Sequence, residues 1–219
     1  MKTVIFDMDG LMFDTESLWI KFSKEVAKEY NIVLSEKLIY GVIGTKQSET
    51  KKAFLEEYGE DFDFDGFLKL YRKLSFDYIK KEGTPIKKGL LELLEYLKKE
   101  NYKIAIASSS RREILEFYLK NANIPENTFN IIVTGNMVKK SKPAPDIFIK
   151  TFELLEEKHN QCYILEDSNN GIVAAHLSGG ITILVPDKDK IRDENLKKAK
   201  YIFNDLLEVK KFLENQKIA

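Results

Sequence analysis

Short apolar runs alternate with amphipathic stretches through the second half of the chain. Leucines in the segment 90–97 recur at i, i+3, i+4 and i+7 and predict a helix, and the apolar run 104–107 that follows predicts a buried strand. The same order returns three more times, with strands predicted at 131–133, 163–165 and 181–185. Such alternation implies a parallel sheet covered by helices on both faces.

The segment 16–82 shows helical spacing only. Apolar residues recur every three or four positions through 18–30 and again through 67–78, which predicts two amphipathic helices. Ser35 is placed to cap another helix, and a further helix is predicted from about 48 to 58. We therefore expect an all-helical block between the first strand and the α/β part of the chain.

Helix ends carry local signals in the α/β part. Ser110 and Glu113 have capping-box spacing, which predicts a helix beginning at Ser110. Pro145 is placed for the first turn of a helix that runs to about Lys158. Gly179 follows a short apolar helix and is predicted to end it.

The first strand, at residues 4–6, ends at two carboxylates and a glycine. Because side chains alternate along an extended chain, Asp7 and Asp9 are expected to lean to the same side, where their like charges destabilise each other. A cation relieves that cost, and hard oxygen ligands suit Mg²⁺. Gly10 allows the chain to turn sharply beneath a ligand.

Other polar side chains also follow predicted strands. Ser108 supplies a hydroxyl, Lys142 an ammonium group, and Glu166 and Asp167 two more carboxylates. In an open parallel sheet, ligands bind at the carboxyl ends of the strands, so these residues are expected at one edge. Carboxylates around one point favour a divalent cation, whereas a hydroxyl and an ammonium group favour an anion. Mg²⁺ and a phosphate group satisfy both demands.

Composition excludes several functional classes. The 35 basic and 35 acidic residues balance, so no long-range field favours nucleic acid or an anionic membrane. We see no transmembrane run and no signal peptide. Cys162 is the only cysteine of the 219 residues, which excludes an internal disulfide and fits a reducing cytoplasm. We expect Cys162 to be buried and inert.

Four motifs together make a specific family resemblance. The chain resembles a haloacid-dehalogenase-superfamily phosphohydrolase of the β-phosphoglucomutase-like branch with a helical cap. The motifs are Asp7-Met8-Asp9-Gly10, Ala107-Ser108-Ser109-Ser110, Ser141-Lys142-Pro143-Ala144-Pro145-Asp146 and Leu165-Glu166-Asp167-Ser168 with Gly171. The match implies an α/β fold with a doubly wound parallel-sheet core at residues 1–15 and 83–219. It also implies an inserted, mobile helical cap domain at residues 16–82.

The resemblance implies roles at the site. Asp7 is expected to attack phosphorus and form an aspartyl-phosphate, and Asp9 to act as general acid and then as general base. Mg²⁺ is expected at the Asp7 carboxylate, the backbone carbonyl of Asp9 and Asp167, with Glu166 nearby. Ser108 and Lys142 are expected to hold the transferred phosphoryl oxygens.

Less is implied about the substrate. We expect a cytoplasmic monomer acting on a small phosphate ester, with no nucleic-acid or membrane partner. Its substrate-binding residues are expected to be Gly10, Ser109, Thr45, Lys46 and Gln47, the last three in a cap loop. Polar residues in that loop favour a sugar or polyol phosphate.

Other activities of the superfamily stay as alternatives. Asp9 argues against haloacid dehalogenation and phosphonate cleavage, because those branches lack an acid at this position. A sugar-phosphate mutase is the nearer alternative. The β-phosphoglucomutases carry a histidine in the first cap helix, however, and this chain has Trp19 at that position. The mutases also carry an arginine in the cap loop, where this chain has Lys46. A non-catalytic protein that binds phosphate ligands is the remote alternative.

Overall fold

The computed structural model describes residues 3–45, 47–188 and 190–216, and contains one parallel sheet. Its strands are β1 (Thr3–Phe6), β2 (Lys103–Ser108), β3 (Ile131–Thr134), β4 (Cys162–Glu166), β5 (Ile181–Leu184) and β6 (Tyr201–Ile202). They lie in the order β3-β2-β1-β4-β5-β6, and every pair is parallel. The predicted α/β class is confirmed, and the sheet order reverses between β1 and β4.

Helices precede and follow the strands as the apolar spacing predicts. They are α1 (Thr15–Glu29), α2 (Glu36–Gly41), α3 (Gln47–Tyr58), α4 (Phe64–Glu82), α5 (Leu90–Lys99), α6 (Arg112–Asn121), α7 (Asp146–Leu155), α8 (Asn169–Ser178), α9 (Asp193–Leu196) and α10 (Leu206–Asn215). In the described part of 16–82, only helices occur. Ser35 caps α2 as predicted, accepting a hydrogen bond from the backbone N–H of Leu38 at 3.0 Å.

Two predicted helix boundaries are wrong. α7, which follows its N-cap residue Pro145, ends at Leu155 rather than near Lys158, because Glu156 takes a left-handed conformation with φ of 56°. The helix expected from Ser110 begins at Arg112, and no side chain caps it. Ser110 instead uses its hydroxyl in the cavity described below, so a long-range contact replaces the predicted local cap.

Apolar residues form separate clusters on the two faces of the sheet and in the helical block. Val4 and Phe6 of β1 belong to one cluster with α5 and α10, while Ile5 belongs to the opposite cluster with α7 and α8. Phe54, Phe64 and their neighbours form a third cluster within α1 to α4. In the described residues, no helix has the length and apolarity needed to cross a membrane.

The carboxyl ends of the central strands meet where the strand order reverses. Asp7 follows β1 directly, and its backbone N–H donates to Leu165 O of β4 at 3.0 Å. Ser108 ends β2, and Glu166 ends β4. Open parallel sheets bind ligands in the crevice outside such a reversal point, so the topology brings the predicted site residues to one place.

Candidate active site

A cavity of about 620 Å³ lies between the helical block and the carboxyl ends of the strands. Asp7, Asp9, Lys142 and Asp167 line its floor on the core side. The helical side contributes mainly aromatic, aliphatic and neutral polar residues, among them Trp19, Val42, Thr45, Gln47, Tyr71 and Phe76, together with the charged Glu16 and Arg72. Asp7, Asp9 and Lys142, three of the four residues predicted to be catalytic, therefore face a space large enough for a small molecule, whereas Ser108 is fully buried beneath it.

Lys142 is buried and holds two carboxylates at once. Its ammonium group donates to Asp7 Oδ1 and Glu166 Oε1, each at 2.5 Å, and to the backbone carbonyl of Ala107 at 3.1 Å. These contacts occupy all three N–H donors of the lysine. Burial alone lowers the pKa of Lys142, but the charges of Asp7 and Glu166 outweigh it and raise the pKa above its usual value. Lys142 is thus a fixed cation that positions Asp7.

Three carboxylates form a group that fits a metal ion. Asp7, Glu166 and Asp167 each offer an oxygen, and these atoms lie within 4.8 Å of one another. Both oxygens of Asp167 are buried, and within the described ranges neither has a hydrogen-bond partner. Burial and the charges of Asp7 and Glu166 raise the pKa of Asp167 well above its usual value. A buried carboxylate in this state needs a cation or a proton, so the predicted ligand set fits Mg²⁺.

Asp9 lies outside that group of three carboxylates and has a different hydrogen-bond partner. Its carboxylate accepts a hydrogen bond from the Ser110 hydroxyl at 2.7 Å, and it is absent from the group of Asp7, Glu166 and Asp167. Asp7 and Asp9 nevertheless line the same cavity, and the charge of Asp7 acts on the Asp9 carboxyl group, as expected of two like charges that lie close together. Burial and the charge of Asp7 raise the pKa of Asp9 to about 6. Asp9 can therefore carry a proton near neutral pH.

The other predicted residues of the core lie close to the floor of the cavity but differ in their burial and contacts. The hydroxyl of Ser108 is buried and accepts a hydrogen bond from the Ser110 backbone N–H at 3.0 Å, whereas Ser109 lines the cavity. Gly10 has φ of 80°, and a Cβ there would overlap Asp167 Oδ2. Glycine is thus required beside Asp167 by both backbone angle and space.

The predicted cap loop is only partly described. Thr45 and Gln47 line the cavity, and Lys46 lies outside the described residues. The Thr45 hydroxyl donates to Val42 O at 2.7 Å, and Gln47 accepts a hydrogen bond from Arg72 at 3.0 Å. The two described residues of the predicted loop therefore line the cavity.

Several lining residues were missed by sequence reasoning. Arg72 and Tyr71 of α4 and Tyr118 of α6 line the cavity, yet only Tyr71 lies on a predicted apolar stripe. Asp187 and Glu16 lie near Asp167. Asp187 comes shortly after β5, so the strand-end rule that found Glu166 could have found it, whereas Glu16 and Arg72 gave no signal.

The chain matches known proteins over most of its length. Residues 4–185 match the model of the haloacid dehalogenase-like hydrolase family. The chain is 32% identical over 183 residues to a phosphorylated carbohydrates phosphatase of Thermotoga maritima, covering 82% of each chain. It is 31% identical over 185 residues to a β-phosphoglucomutase of Bacillus subtilis, covering 82% of this chain and 80% of the relative.

A solved structure agrees over the whole chain. A candidate β-phosphoglucomutase of Thermotoga maritima superposes with a TM-score of 0.82 at 26% identity, covering 98% of this chain and 99% of the other. The family match agrees with the parallel sheet and with the carboxylates at the carboxyl ends of its central strands. The chain belongs to the haloacid dehalogenase-like hydrolase family, as an enzyme similar to its phosphatases and β-phosphoglucomutases.

Proposed function

We propose that this phosphoric monoester hydrolase cleaves a small phosphate ester in a Mg²⁺-dependent reaction through an aspartyl-phosphate. One observation carries the proposal. Two aspartates beside the central strand have different environments, since Asp7 is paired with Lys142 and Asp9 has a pKa raised to about 6. One carboxylate is thereby arranged for attack and the other for proton transfer.

Magnesium would be held by Asp7 and Asp167, with the Asp9 backbone carbonyl and Glu166 contributing. The support is the oxygen group of Asp7, Glu166 and Asp167, together with the unpartnered buried oxygens of Asp167. Bound there, Mg²⁺ supplies positive charge that neutralises the phosphate group and orients its oxygens.

The protein's own residues divide the reaction into two steps. In the first, an oxygen of Asp7 forms a bond to phosphorus while the bond from phosphorus to the alcohol oxygen breaks. Protonated Asp9 donates its proton to the leaving oxygen. In the second, Asp9 removes a proton from water, whose oxygen bonds to phosphorus as the bond to Asp7 breaks. The Ser110 hydroxyl, 2.7 Å from Asp9, orients that carboxyl group.

Ser108 and Lys142 would bind the phosphoryl oxygens. Lys142 uses its three donors on Asp7, Glu166 and Ala107, so it can contact a phosphoryl oxygen only by sharing or exchanging one of these bonds. Its contribution is therefore mainly to place the Asp7 carboxylate and to neutralise charge.

We also propose that residues 16–82 are a cap that closes on a core of residues 1–15 and 83–219. The helical block has its own apolar cluster, and it joins the core through only two chain connections. Its closure would exclude water from the cavity and bring Thr45 and Gln47 to the substrate. Lys46, Gly10 and Ser109 complete the proposed substrate-binding set.

A sugar or polyol phosphate is the proposed substrate. The Thermotoga maritima relative is named as a phosphatase of phosphorylated carbohydrates. Polar side chains of the cavity, including Gln47, Arg72 and Asn170, offer hydrogen bonds to hydroxyl groups. We propose phosphatase activity rather than mutase activity, because Trp19 cannot exchange a proton and its indole N–H donates to Ile39 O at 3.2 Å.

The test is a screen of phosphate esters with purified protein in Mg²⁺. We expect inorganic phosphate to appear in step with the loss of several sugar or polyol phosphates, and to stop when a chelator is added. Release that continues in excess chelator would overturn the metal-dependent mechanism. No turnover of any ester, with binding retained, would support the binding-protein alternative.

A second assay separates phosphatase from mutase. β-Glucose 1-phosphate is supplied together with a priming bisphosphate, and the products are separated. We expect inorganic phosphate as the main product. Conversion to glucose 6-phosphate with almost no phosphate release would establish the mutase alternative, which the Bacillus subtilis relative represents by name.

A further inference from the structure

One region of the cavity is lined by aromatic rings from both of its sides. Tyr71 and Phe76 come from α4 of the helical block, and Tyr118 comes from α6 of the core. The rings of Phe76 and Tyr118 meet with their centroids 6.4 Å apart, and Trp19 packs against Tyr71 at 5.0 Å. The helical block and the core therefore build this group together, and we call Tyr71, Phe76 and Tyr118 the aromatic cluster.

The aromatic cluster lies beside the proposed general acid. The ring of Tyr118 packs against that of Phe13 with centroids 5.9 Å apart, and the backbone of Phe13 forms a β-bridge with that of Asp9. Burial and then the negative charge of Asp9 raise the pKa of the Tyr118 hydroxyl, and the same two causes raise the pKa of Tyr71. Because Asp9 is proposed to protonate the leaving oxygen, the group attached to that oxygen is placed next to these rings.

Two of the three rings present apolar surface to the cavity. Phe76 stacks on Phe117 with centroids 4.5 Å apart, yet it is only partly buried, and so is Tyr71. Both rings line the cavity, so part of their surface is open to a ligand. Covering apolar surface stabilises a complex by roughly 25 cal/mol per Å². The cluster therefore favours a ligand with an apolar face.

Polar groups close to these rings narrow the kind of ligand further. Arg72 also lines the cavity, and its positive charge opposes the rise that burial and Asp9 cause in the pKa of both tyrosines. One of its five N–H donors bonds to Gln47 Oε1 at 3.0 Å. A purely apolar ligand would cover these polar groups without bonding to them, which costs free energy. The matching ligand has an apolar face and hydroxyl groups at its edge, as a sugar in its ring form has.

We propose that Tyr71, Phe76 and Tyr118 determine specificity by selecting a sugar phosphate in its ring form over an open-chain polyol phosphate. The C–H face of the sugar ring would pack on the aromatic cluster, and its hydroxyl groups would accept hydrogen bonds from Arg72 and Gln47. An open-chain polyol has no rigid apolar face, and it loses more conformational entropy when it binds. The inference rests on the proposed function in placing the leaving group beside Asp9.

The test compares glucose 6-phosphate with glucitol 6-phosphate. The two esters have the same carbon chain and the same phosphate position, but glucitol lacks the carbonyl carbon through which glucose closes its ring. Ribose 5-phosphate and ribitol 5-phosphate form a second matched pair. Phosphate release by the wild type in Mg²⁺ gives kcat/KM, and calorimetry with Asp7→Asn gives Kd without turnover. We expect the ring-forming ester of each pair to have the higher kcat/KM and the lower Kd, each by about tenfold.

Variants assign the preference to the aromatic cluster. Tyr71→Leu and Phe76→Leu are expected to bring the two esters of a pair to within about twofold of each other, because leucine is apolar but not flat. Tyr71→Phe keeps the ring and should keep the preference. Tyr78→Leu is the matched control, since Tyr78 also lies on α4 but packs against Phe22 at 5.4 Å and is absent from the described lining of the cavity. Tyr118 is left unchanged because its buried ring belongs to the apolar core.

The outcomes distinguish this inference from the proposed function. Equal kcat/KM and equal Kd within both pairs, in an enzyme that releases phosphate, would overturn the inference and leave the function standing. A lower Kd for the ring-forming esters without phosphate release by the wild type would support the inference and overturn the function. Binding of none of the four esters would overturn the inference. So would an undiminished preference in folded Tyr71→Leu and Phe76→Leu, and if one of these variants fails to fold, the other decides together with the wild type.

Discussion

The cavity has two walls of different chemistry. The core wall is formed by Asp7, Asp9, Lys142 and Asp167, and the helical wall is formed by residues of the segment 16–82. On the core wall, charged side chains at strand ends hold one another, as Lys142 holds Asp7 and Glu166 at 2.5 Å. On the helical wall, aromatic packing dominates, and Trp19 lies against Tyr71 with ring centroids 5.0 Å apart. We therefore propose that the charges of the core wall act on the reacting phosphate group, whereas the helical wall shapes the space for the rest of the substrate.

This difference implies a separation of kinetic effects. A change on the core wall alters groups that stabilise the transition state, so it should lower kcat. A change on the helical wall alters contacts made equally before and during the reaction, so it should mainly raise KM. Effects should also be larger on the core wall, where charges are buried and coupled.

The largest effect is expected for Asp7→Asn. Asparagine keeps the shape of the side chain but is a poor nucleophile, so kcat should fall by more than about 10³-fold. Steady-state phosphate release measures the loss, and the melting temperature in metal-free buffer should hold or rise because one of several crowded negative charges is removed. Asp193→Asn, at an exposed position, is the control. Full activity in Asp7→Asn would show that Asp7 is not the nucleophile.

Asp9→Asn is expected to lower kcat for alkyl phosphates by about 10²–10⁴-fold, the usual contribution of a general acid. The phosphorylation rate with p-nitrophenyl phosphate should be affected less, because its leaving group needs no proton. With a pKa of about 6, Asp9 is protonated at lower pH, so the phosphorylation step for alkyl phosphates should slow as pH rises above that value. Rapid-quench measurements across pH test this. Hydrolysis of the aspartyl-phosphate, in which Asp9 is the proposed base, is common to both esters, so only the phosphorylation rates separate them. An equal loss of the phosphorylation rate for both leaving groups would contradict the role of Asp9 as the acid.

Stability in metal-free buffer should also depend on pH through the core wall. Burial and like charges raise the pKa values of Asp9 and Asp167, so the folded protein binds their protons more tightly than the unfolded chain. Their stabilisation is present below the unfolded pKa of about 4 and is lost as pH rises through about 6 and above. The melting temperature should therefore fall by several degrees between pH 5 and 8, and the loss should be smaller in Asp167→Asn. A flat profile in the wild type would show that these charges are already balanced.

The smallest effect is expected on the helical wall. Arg72→Gln removes a cation that lines the cavity and donates to Gln47. We expect KM to rise about three- to tenfold with kcat nearly unchanged, which corresponds to about 1 kcal/mol of uniform binding. Lys73→Gln, the exposed neighbour on α4, is the matched control. A fall in kcat with KM unchanged would show that Arg72 acts on the transition state, as the core-wall residues are proposed to do. It would contradict the proposed difference between the two walls.

Sequence reasoning located the core wall because its rule is topological. Strands of a parallel sheet end at one edge, so residues that follow strands, such as Asp7 and Glu166, meet without any knowledge of side-chain packing. The helical wall offers no such rule. Whether Arg72 faces the cavity depends on the rotation of α4 and on how it packs against α6, which are long-range properties.

Ser110 shows how a local pattern can mislead. Its spacing to Glu113 satisfies the capping-box pattern, yet its hydroxyl donates to Asp9, which lies 101 residues away along the chain. Local patterns describe which bonds a side chain can make, but not which partner the fold supplies. Here the fold supplies a carboxylate that accepts a hydrogen bond from the hydroxyl, whereas a cap would have required the hydroxyl to accept one from a backbone N–H.

The central place of β1 has a consequence for synthesis on the ribosome. β1 emerges first, yet it pairs with β2 and β4, and the ammonium group that holds Asp7 comes 135 residues later. At about 5–20 residues per second, that lysine follows roughly ten seconds behind. β1 and the aspartates that follow it must therefore remain without their strand and lysine partners during this time. The helical block, whose contacts are more local, has by then emerged in full. The order of the strands in the sheet thus differs from their order of synthesis, and the floor of the cavity assembles only after β4 has emerged.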